Sequence, residues 1–213
     1  MTERILLGEA TRADAVCRAG EALRRGEVAL LPAEGLYGYH VLATHPEGIA
    51  RLERLKPRGP GKGWIGLVAR PADAYRWFAA LPAPAAILIQ QHWPGALTLV
   101  LEAGPSAPPA LIGPGEPGTI ALRCPGSAFL RDVILAANGL LVSTSANPPG
   151  TASAAVAPAP EEVPGEVALV VDSGPLSGAP STVVRVSGER VTVLREGAVR
   201  IGRTALDAPP AGP

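Results

Sequence analysis

The chain predicts an α/β fold, a mixed sheet under helical cover, and three observations carry that expectation. Nine short runs read as strands against four helical ones. Helices separate some of those strands but not all. Several strands also follow one another directly, as hairpins do, instead of forming a strict strand–helix–strand series.

The elements follow in order. A short strand at Ile5 to Leu7 precedes "TRADAVCRAGEALRRG", where Val16, Ala19, Ala22 and Leu23 recur at helical spacing. Thr11 and Asp14 occupy capping-box positions there, and Gly26 supplies the stop. "VALLP" reads as a buried strand ending at Pro32, and Pro46 to Leu55 as a helix that opens on proline. Between them, Leu31 to Ala43 ("LPAEGLYGYHVLA") reads as a turn whose glycines let a ligand approach the backbone. "WIGLVA" is the next strand, residues 71 to 92 are helical, and "ALTLVLEA" is a strand apolar enough to be buried on both faces. "TIALRCP", "GLLVSTSAN", "VALVVDSG", "STVVRVS" and "RVTVLREG" supply five more strands, with a helix near Ser127 to Ala137. Pro148 to Glu166 reads as a loop over the sheet, residues 1–203 as one domain, and 204–213 as a flexible tail.

Composition narrows the function classes. Nineteen cations balance nineteen carboxylates, so no global basic field holds nucleic acid and any polyanion site must be local. Cys17 and Cys124 match no metal or redox spacing and read as buried apolar residues of a reducing cytoplasm. With no membrane-length apolar run and acidic residues in "MTERILLGEA", a soluble cytoplasmic protein is expected. His40, His45 and His92 lack metal-ligand spacing, so no protein-bound metal is expected. "GPGEPG" at 113–118 has the letters of a dinucleotide-binding turn, but its prolines and the strand after it leave no helix N-terminus for a pyrophosphate. "GPGK" at 59–62 lacks the first Gly and the Ser or Thr of a phosphate-binding loop.

Two clusters carry the chemistry. From Arg51 to Lys62, five cations stand against Glu53 alone. Arg51, Arg54 and Arg58 fit a solvated helix face, but Lys56, Arg58 and Lys62 lie past the helix in a turn stiffened by Pro57 and Pro60, free to converge on a polyphosphate. The second cluster is "LLVSTSANPPG", an apolar strand running into Ser143, Thr144, Ser145 and Asn147. Small polar side chains at a strand's carboxyl end are where α/β sheets hold ligands. A serine hydrolase is not indicated: there is no G-x-S-x-G elbow, and no histidine follows Ser145.

Taken together, "LPAEGLYG", "LKPRGPGKGWIGLVA", "HWPGALTLVLEA", "TIALRCP", "LLVSTSANPPG" and "STVVRV…VTVLREGAV" resemble, in this order, the blocks of the YrdC/Sua5 family, the threonylcarbamoyl-AMP synthases, in their short single-domain form. The resemblance implies a twisted sheet around an open, basic cavity. It implies an enzyme that joins L-threonine, bicarbonate and ATP, with Mg²⁺ carried by the ATP, into threonylcarbamoyl-AMP and pyrophosphate. That product serves the t6A modification of tRNA, so downstream transferase machinery is an implied partner, with tRNA or double-stranded RNA as a further one. The family's K-x-R and S-x-N signatures fall on Lys56, Arg58, Ser145 and Asn147. Lys56 and Arg58 become the catalytic candidates. Lys56, Arg58, Lys62, Arg123, Ser143, Ser145, Asn147 and Arg195 become the nucleotide-binding set, and Glu34, Tyr37 and Ser181 the amino-acid set.

The chain departs from the family pattern mainly on the amino-acid side. Ala33 stands for a Thr, Gly35 for Thr or Ala, His40 for Gly and Leu42 for Asp, while Pro148 and Pro149 replace Leu and Ser. Two other functions fit such a pattern: the same nucleotide chemistry on another acceptor or carbamoyl donor, and a non-catalytic double-stranded RNA-binding relative. The zero net charge counts against the last.

Overall fold

A computed structural model describes residues 2–57, 63–113, 118–147 and 155–202. Ten strands form one sheet: β1 (Glu3–Leu6), β2 (Val28–Pro32), β3 (Tyr37–Leu42), β4 (Ile65–Leu67), β5 (Leu97–Glu102), β6 (Thr119–Arg123), β7 (Leu141–Ser145), β8 (Val167–Asp172), β9 (Thr182–Ser187) and β10 (Arg190–Arg195). Their order is β1-β8-β2-β3-β7-β4-β6-β5-β9-β10. Parallel pairs (β1/β8, β2/β8, β4/β6, β5/β9) mix with antiparallel ones (β2/β3, β3/β7, β4/β7, β5/β6, β9/β10), as the unequal alternation of strands and helices predicted.

Among the described residues, four α-helices cover the sheet: α1 (Arg12–Arg24), α2 (Pro46–Leu55), α3 (Ala83–His92) and α4 (Ala128–Ala137). Side-chain alternation along the strands sorts the apolar residues into two layers. Val28, Leu30, Tyr37, Tyr39 and Val142 pack with Leu52 of α2 and Leu88 of α3. Ala29, Leu31, Leu67 and Leu141 pack on the other face with Leu23 of α1 and Leu130 of α4. The two helices on that face approach closely because Gly20 has no side chain: a Cβ there would lie 2.6 Å from that of Ala136. They cover only part of the face, and the remainder, over β3, β7, β4, β6, β5 and β9, is open.

The stop signal at Gly26 has a concrete cause. Its φ is +72°, and a Cβ would lie 2.2 Å from the His45 ring, so both backbone and space demand glycine. Arg51 donates to the Gly26 carbonyl at 2.9 Å, and Arg54 is exposed, so the helical part of the cation run is structural and solvated.

Four expectations are corrected. Leu31 to Ala43 is not a turn throughout: only residues 33–36 turn, and β3 then pairs back on β2, Pro32 opposite Tyr37. Residues 71–92 are not one helical stretch. A 3₁₀ segment at Pro71–Trp77 ends where Phe78 bridges Ala103, and α3 starts only after Pro82. Thr11 forms no capping box, because its hydroxyl donates to the Leu6 carbonyl at 2.6 Å and accepts from the Gly8 N–H at 2.9 Å. Cys17 is exposed on α1, while Cys124 is buried, and burial pushes its thiol up to about 11. Among the described residues no helix is long and apolar enough to cross a membrane. The expected tail at 204–213 lies outside the described residues, as does 148–154 of the expected long loop.

Candidate active site

The open part of the α1/α4 face is a cavity of about 860 Å³, within the usual range for small-molecule sites. Register explains its floor. His40 pairs with Ser143, Ser143 with Ile65, Ile65 with Ala121, Ala121 with Val100, and Val100 with Arg185. Directly opposed residues share a face, so this row crosses six strands and lines the cavity from end to end.

Nine of the eleven candidate site residues line this cavity: Glu34, Tyr37, Lys56, Arg123, Ser143, Ser145, Asn147, Ser181 and Arg195. Arg58 and Lys62 lie outside the described residues. Among the described lining residues, the cations Lys56, Arg123, Arg185 and Arg195 face one carboxylate, Glu34, which gives those residues a net charge of +3 in a chain of net zero. The basic character of the cavity is thus produced by folding rather than by composition.

Three of these cations, Lys56, Arg123 and Arg195, are held by backbone oxygens, which fix their direction. Lys56, the residue after α2, donates from Nζ to the Ser145 carbonyl at 2.7 Å and also to the Asn147 carbonyl. The end of α2 is thereby strapped to the end of β7. Arg123, at the end of β6, donates from Nε to the Gly95 carbonyl at 2.9 Å. Its Nη2 contacts the Glu34 carboxylate, which also accepts the Gly126 N–H. Arg195, at the end of β10, donates to the Ser181 carbonyl at 2.8 Å and to the Ser181 hydroxyl at 3.1 Å. That hydroxyl lies 2.9 Å from Thr98. Burial, and then the like charge of Arg123, lower the pKa of Arg195, although a guanidinium so placed stays charged in the physiological range.

Tyr37 is fully buried, and its phenol is taken up by protein partners. It donates to the Gly174 carbonyl at 2.7 Å and accepts the Ser173 N–H at 2.9 Å. Burial raises its pKa, so the phenol is neutral. Its place is in the wall, bracing the β2–β3 turn against the end of β8.

Residues 21–197 match the family model Sua5/YciO/YrdC, described as telomere recombination. The chain belongs to the Sua5/YciO/YrdC family. Threonylcarbamoyl-AMP synthases of Halorhodospira halophila and Chromohalobacter salexigens are 37% and 34% identical to it over 138 and 174 residues. The alignments cover 65% and 80% of this chain, and 71% and 92% of those relatives. A P. abyssi Sua5 complexed with L-threonine superposes with a TM-score of 0.79 at 25% identity, covering 92% of this chain and 57% of that one. E. coli YciO shares the fold, with a TM-score of 0.79 at 22% identity over 92% and 95% of the two chains. The chain is an enzyme of the Sua5 family.

Two features of this Sua5-family cavity were not legible as site residues. Arg185 sits in "TVVRVS", where an arginine between valines reads as the solvent side of a strand; only its pairing with Val100 of β5 turns it toward the cavity. His40 is fully buried, and its Nε2 lies 3.2 Å from the Ser143 hydroxyl. Chain order did not foresee this serine–histidine contact, because the histidine comes from an upstream strand. It is not a nucleophile–base pair. Desolvation, opposed by the Gly38 and Ala29 carbonyls and assisted by the charge of Arg123, lowers the imidazole to about 4, far too weak a base at neutral pH.

The His40 shift has a consequence for stability. Its folded pKa lies below the ordinary 6.5, so its contribution is complete above pH 6.5 and declines as pH falls toward 4. The expected loss over that window is about 3 kcal/mol. Urea unfolding of the wild type and of His40→Gln from pH 7 to 4 checks this. The stability difference between the two proteins should shift by that amount against the wild type, and a constant difference would show that the imidazole is not buried in its neutral form.

Proposed function

We propose that this chain is an L-threonylcarbamoyladenylate synthase. It takes L-threonine, bicarbonate and ATP to threonylcarbamoyl-AMP and pyrophosphate, for t6A modification of tRNA, in a single domain spanning residues 1–203. The observation that carries the reading is the convergence of nine candidate residues on one cavity whose described lining has a net charge of +3.

The chemistry needs positioning and cations rather than a protein nucleophile. The amine of threonine and bicarbonate combine, with loss of water, to an N-carboxylate. One oxygen of that carboxylate attacks the α-phosphorus of ATP, the bond from that phosphorus to the α–β bridging oxygen breaks, and pyrophosphate leaves. Anion approaches anion, and negative charge builds on the leaving group. Lys56, Arg58 and Arg123 offset that charge, with Lys62, Arg195, Ser143, Ser145 and Asn147 holding the nucleotide. Glu34, Tyr37 and Ser181 form the amino-acid end. Glu34, the one carboxylate among the described lining residues, is engaged by Arg123 and Gly126, so Mg²⁺ arrives on the ATP phosphates rather than on a protein ligand. The unstable adenylate then passes to downstream transferase machinery.

A second reading, the same nucleotide chemistry on a different acceptor, draws on His40, a bulky ring in the cavity wall. Pyrophosphate release with ATP, bicarbonate and each amino acid in turn distinguishes the two. Threonine-dependent release is expected. Release with another acceptor selects the second reading. Absence of release with every acceptor, together with salt-dependent binding of double-stranded RNA, would instead indicate a non-catalytic RNA-binding relative.

A further inference from the structure

We infer that Thr98 is a positioning residue: its buried hydroxyl fixes the hydroxyl of Ser181 and, through it, the direction in which Arg195 presents its guanidinium to an anionic group of the bound substrate. That this group is a phosphate of ATP rests on the proposed function; the linkage of the three side chains does not.

Register brings the three residues together. Thr98 of β5 opposes Val183 of β9, and Val183 opposes Arg195 of β10. One step beyond the pair Leu99 and Leu122, the same antiparallel ladder sets Arg123 of β6 on the other side of Thr98. Thr98 therefore stands in one row between two arginines, and the like charge of Arg123 acts on Arg195. Two guanidinium groups so placed repel each other, and an untethered arginine side chain would turn away and regain its rotamer freedom. Arg195 is held instead. The register irregularity between Val193 and Arg195 re-aims its side chain over the start of β9. There Nη2 donates to the Ser181 carbonyl at 2.8 Å and to the Ser181 hydroxyl at 3.1 Å, and Nε donates to the same carbonyl at 3.2 Å.

Ser181 precedes β9, so no strand pleat sets the direction of its side chain. Its hydroxyl is set by Thr98, whose Oγ1 lies 2.9 Å away. Thr98 suits that task because it is β-branched with a restricted χ1, lies inside a strand and is fully buried. Either oxygen can donate across this contact; in both cases the Ser181 oxygen keeps a lone pair for the Arg195 N–H. The backbone of the same segment is secured separately. The Thr182 N–H donates to the Ala96 carbonyl at 3.0 Å, the Ala198 N–H to the Pro180 carbonyl at 2.9 Å and the Thr182 hydroxyl to the Val199 carbonyl at 2.6 Å. Loss of the Thr98 hydroxyl thus releases side chains rather than the chain path. Ser181 and Arg195 line the cavity, and Thr98, fully buried, acts from behind them without touching the substrate.

Two variants separate the hydroxyl from packing. Thr98→Val keeps the branching and removes the hydroxyl, whereas Thr98→Ser keeps the hydroxyl and removes a buried methyl. Calorimetric titration of the whole chain with ATP is expected to give a Kd about fivefold to tenfold higher for Thr98→Val, and within about twofold of wild type for Thr98→Ser, as loss of one hydrogen bond predicts. In turnover, KM for ATP should follow the same order while kcat changes by less than about twofold. Ser181→Ala removes the link, so Thr98→Val added to it should weaken ATP binding no further. If Thr98→Ser weakens binding as much as Thr98→Val, or if the losses with Ser181→Ala add, Thr98 acts only by packing and the inference is overturned. The ¹⁵Nε–¹H resonance of Arg195, assigned through Arg195→Lys, gives a readout that needs no ligand. Its exchange with solvent should be several-fold faster in Thr98→Val and within about twofold of wild type in Thr98→Ser. Exchange unchanged in both variants would overturn the inference whether or not the protein is active. If the resonance responds as expected but ATP does not bind the wild type, the proposed nucleotide falls and the link from Thr98 to Arg195 stands.

Discussion

Lys56→Ala is expected to slow pyrophosphate release roughly a hundredfold, corresponding to about 3 kcal/mol of barrier, with most of the loss in kcat. The ammonium is prepositioned by the carbonyls of Ser145 and Asn147, so it needs no reorganisation when charge develops on the leaving phosphates. ATP is already anionic in the ground state, so KM should rise as well, but the charge that builds on the leaving pyrophosphate appears only toward the transition state, and the larger effect falls on kcat. Folding should suffer little, by about 1 kcal/mol, since the strap to the end of β7 is made by hydrogen bonds from a partly exposed side chain. Turnover assays paired with urea unfolding check both halves. A variant with unchanged kcat would remove Lys56 from the chemistry.

Arg123→Ala should produce a loss of both kinds. The side chain is 14% exposed and its partner Glu34 25% exposed, so removing the guanidinium strands a largely buried carboxylate. Breaking such a pair from one side costs about 3 kcal/mol of stability. The loss of a phosphate-facing cation should also reduce turnover about a hundredfold. The double variant Glu34→Gln/Arg123→Ala separates the effects, because it removes the stranded charge without restoring the cation. Stability should largely return while activity does not. If the second substitution leaves stability as low as in the single variant, the two residues do not act as a pair.

Much of the fold was legible because the determining signals are local. The apolar run of β2, the proline that opens α2 and the both-face burial of β5 each follow from a few neighbouring residues. β3 was missed although Tyr37, Tyr39 and Val41 alternate as a strand should. Gly35 precedes that alternation and Gly38 falls inside it, so both read as turn residues, and Gly38 is glycine because the His40 ring lies over it. The break in 71–92 comes from the bridge of Phe78 to Ala103, a pairing across the chain that no helical periodicity contains.

The site divides in the same way. Lys56, Ser145 and Asn147 stand in compact blocks, and the hydrogen bonds between those blocks join two motifs lying about ninety residues apart. Arg185 and the contact of His40 with Ser143 depend on which strands are neighbours, which follows from the sheet order alone. The β2–β3 turn and the wall behind it, where this chain carries Ala33 and His40, line the cavity only once β3 has paired back on β2.

The central claim is that this cavity joins an amino acid, bicarbonate and ATP in one adenylate. Incubation of the full chain with ATP, isotopically labelled bicarbonate and L-threonine, followed by rapid separation and mass spectrometry, tests it most directly. The predicted result is an adenylate carrying both the bicarbonate label and the mass of threonine, formed in step with pyrophosphate and lost when threonine is omitted. Pyrophosphate released without label in the adenylate, or equal release with and without threonine, would contradict it.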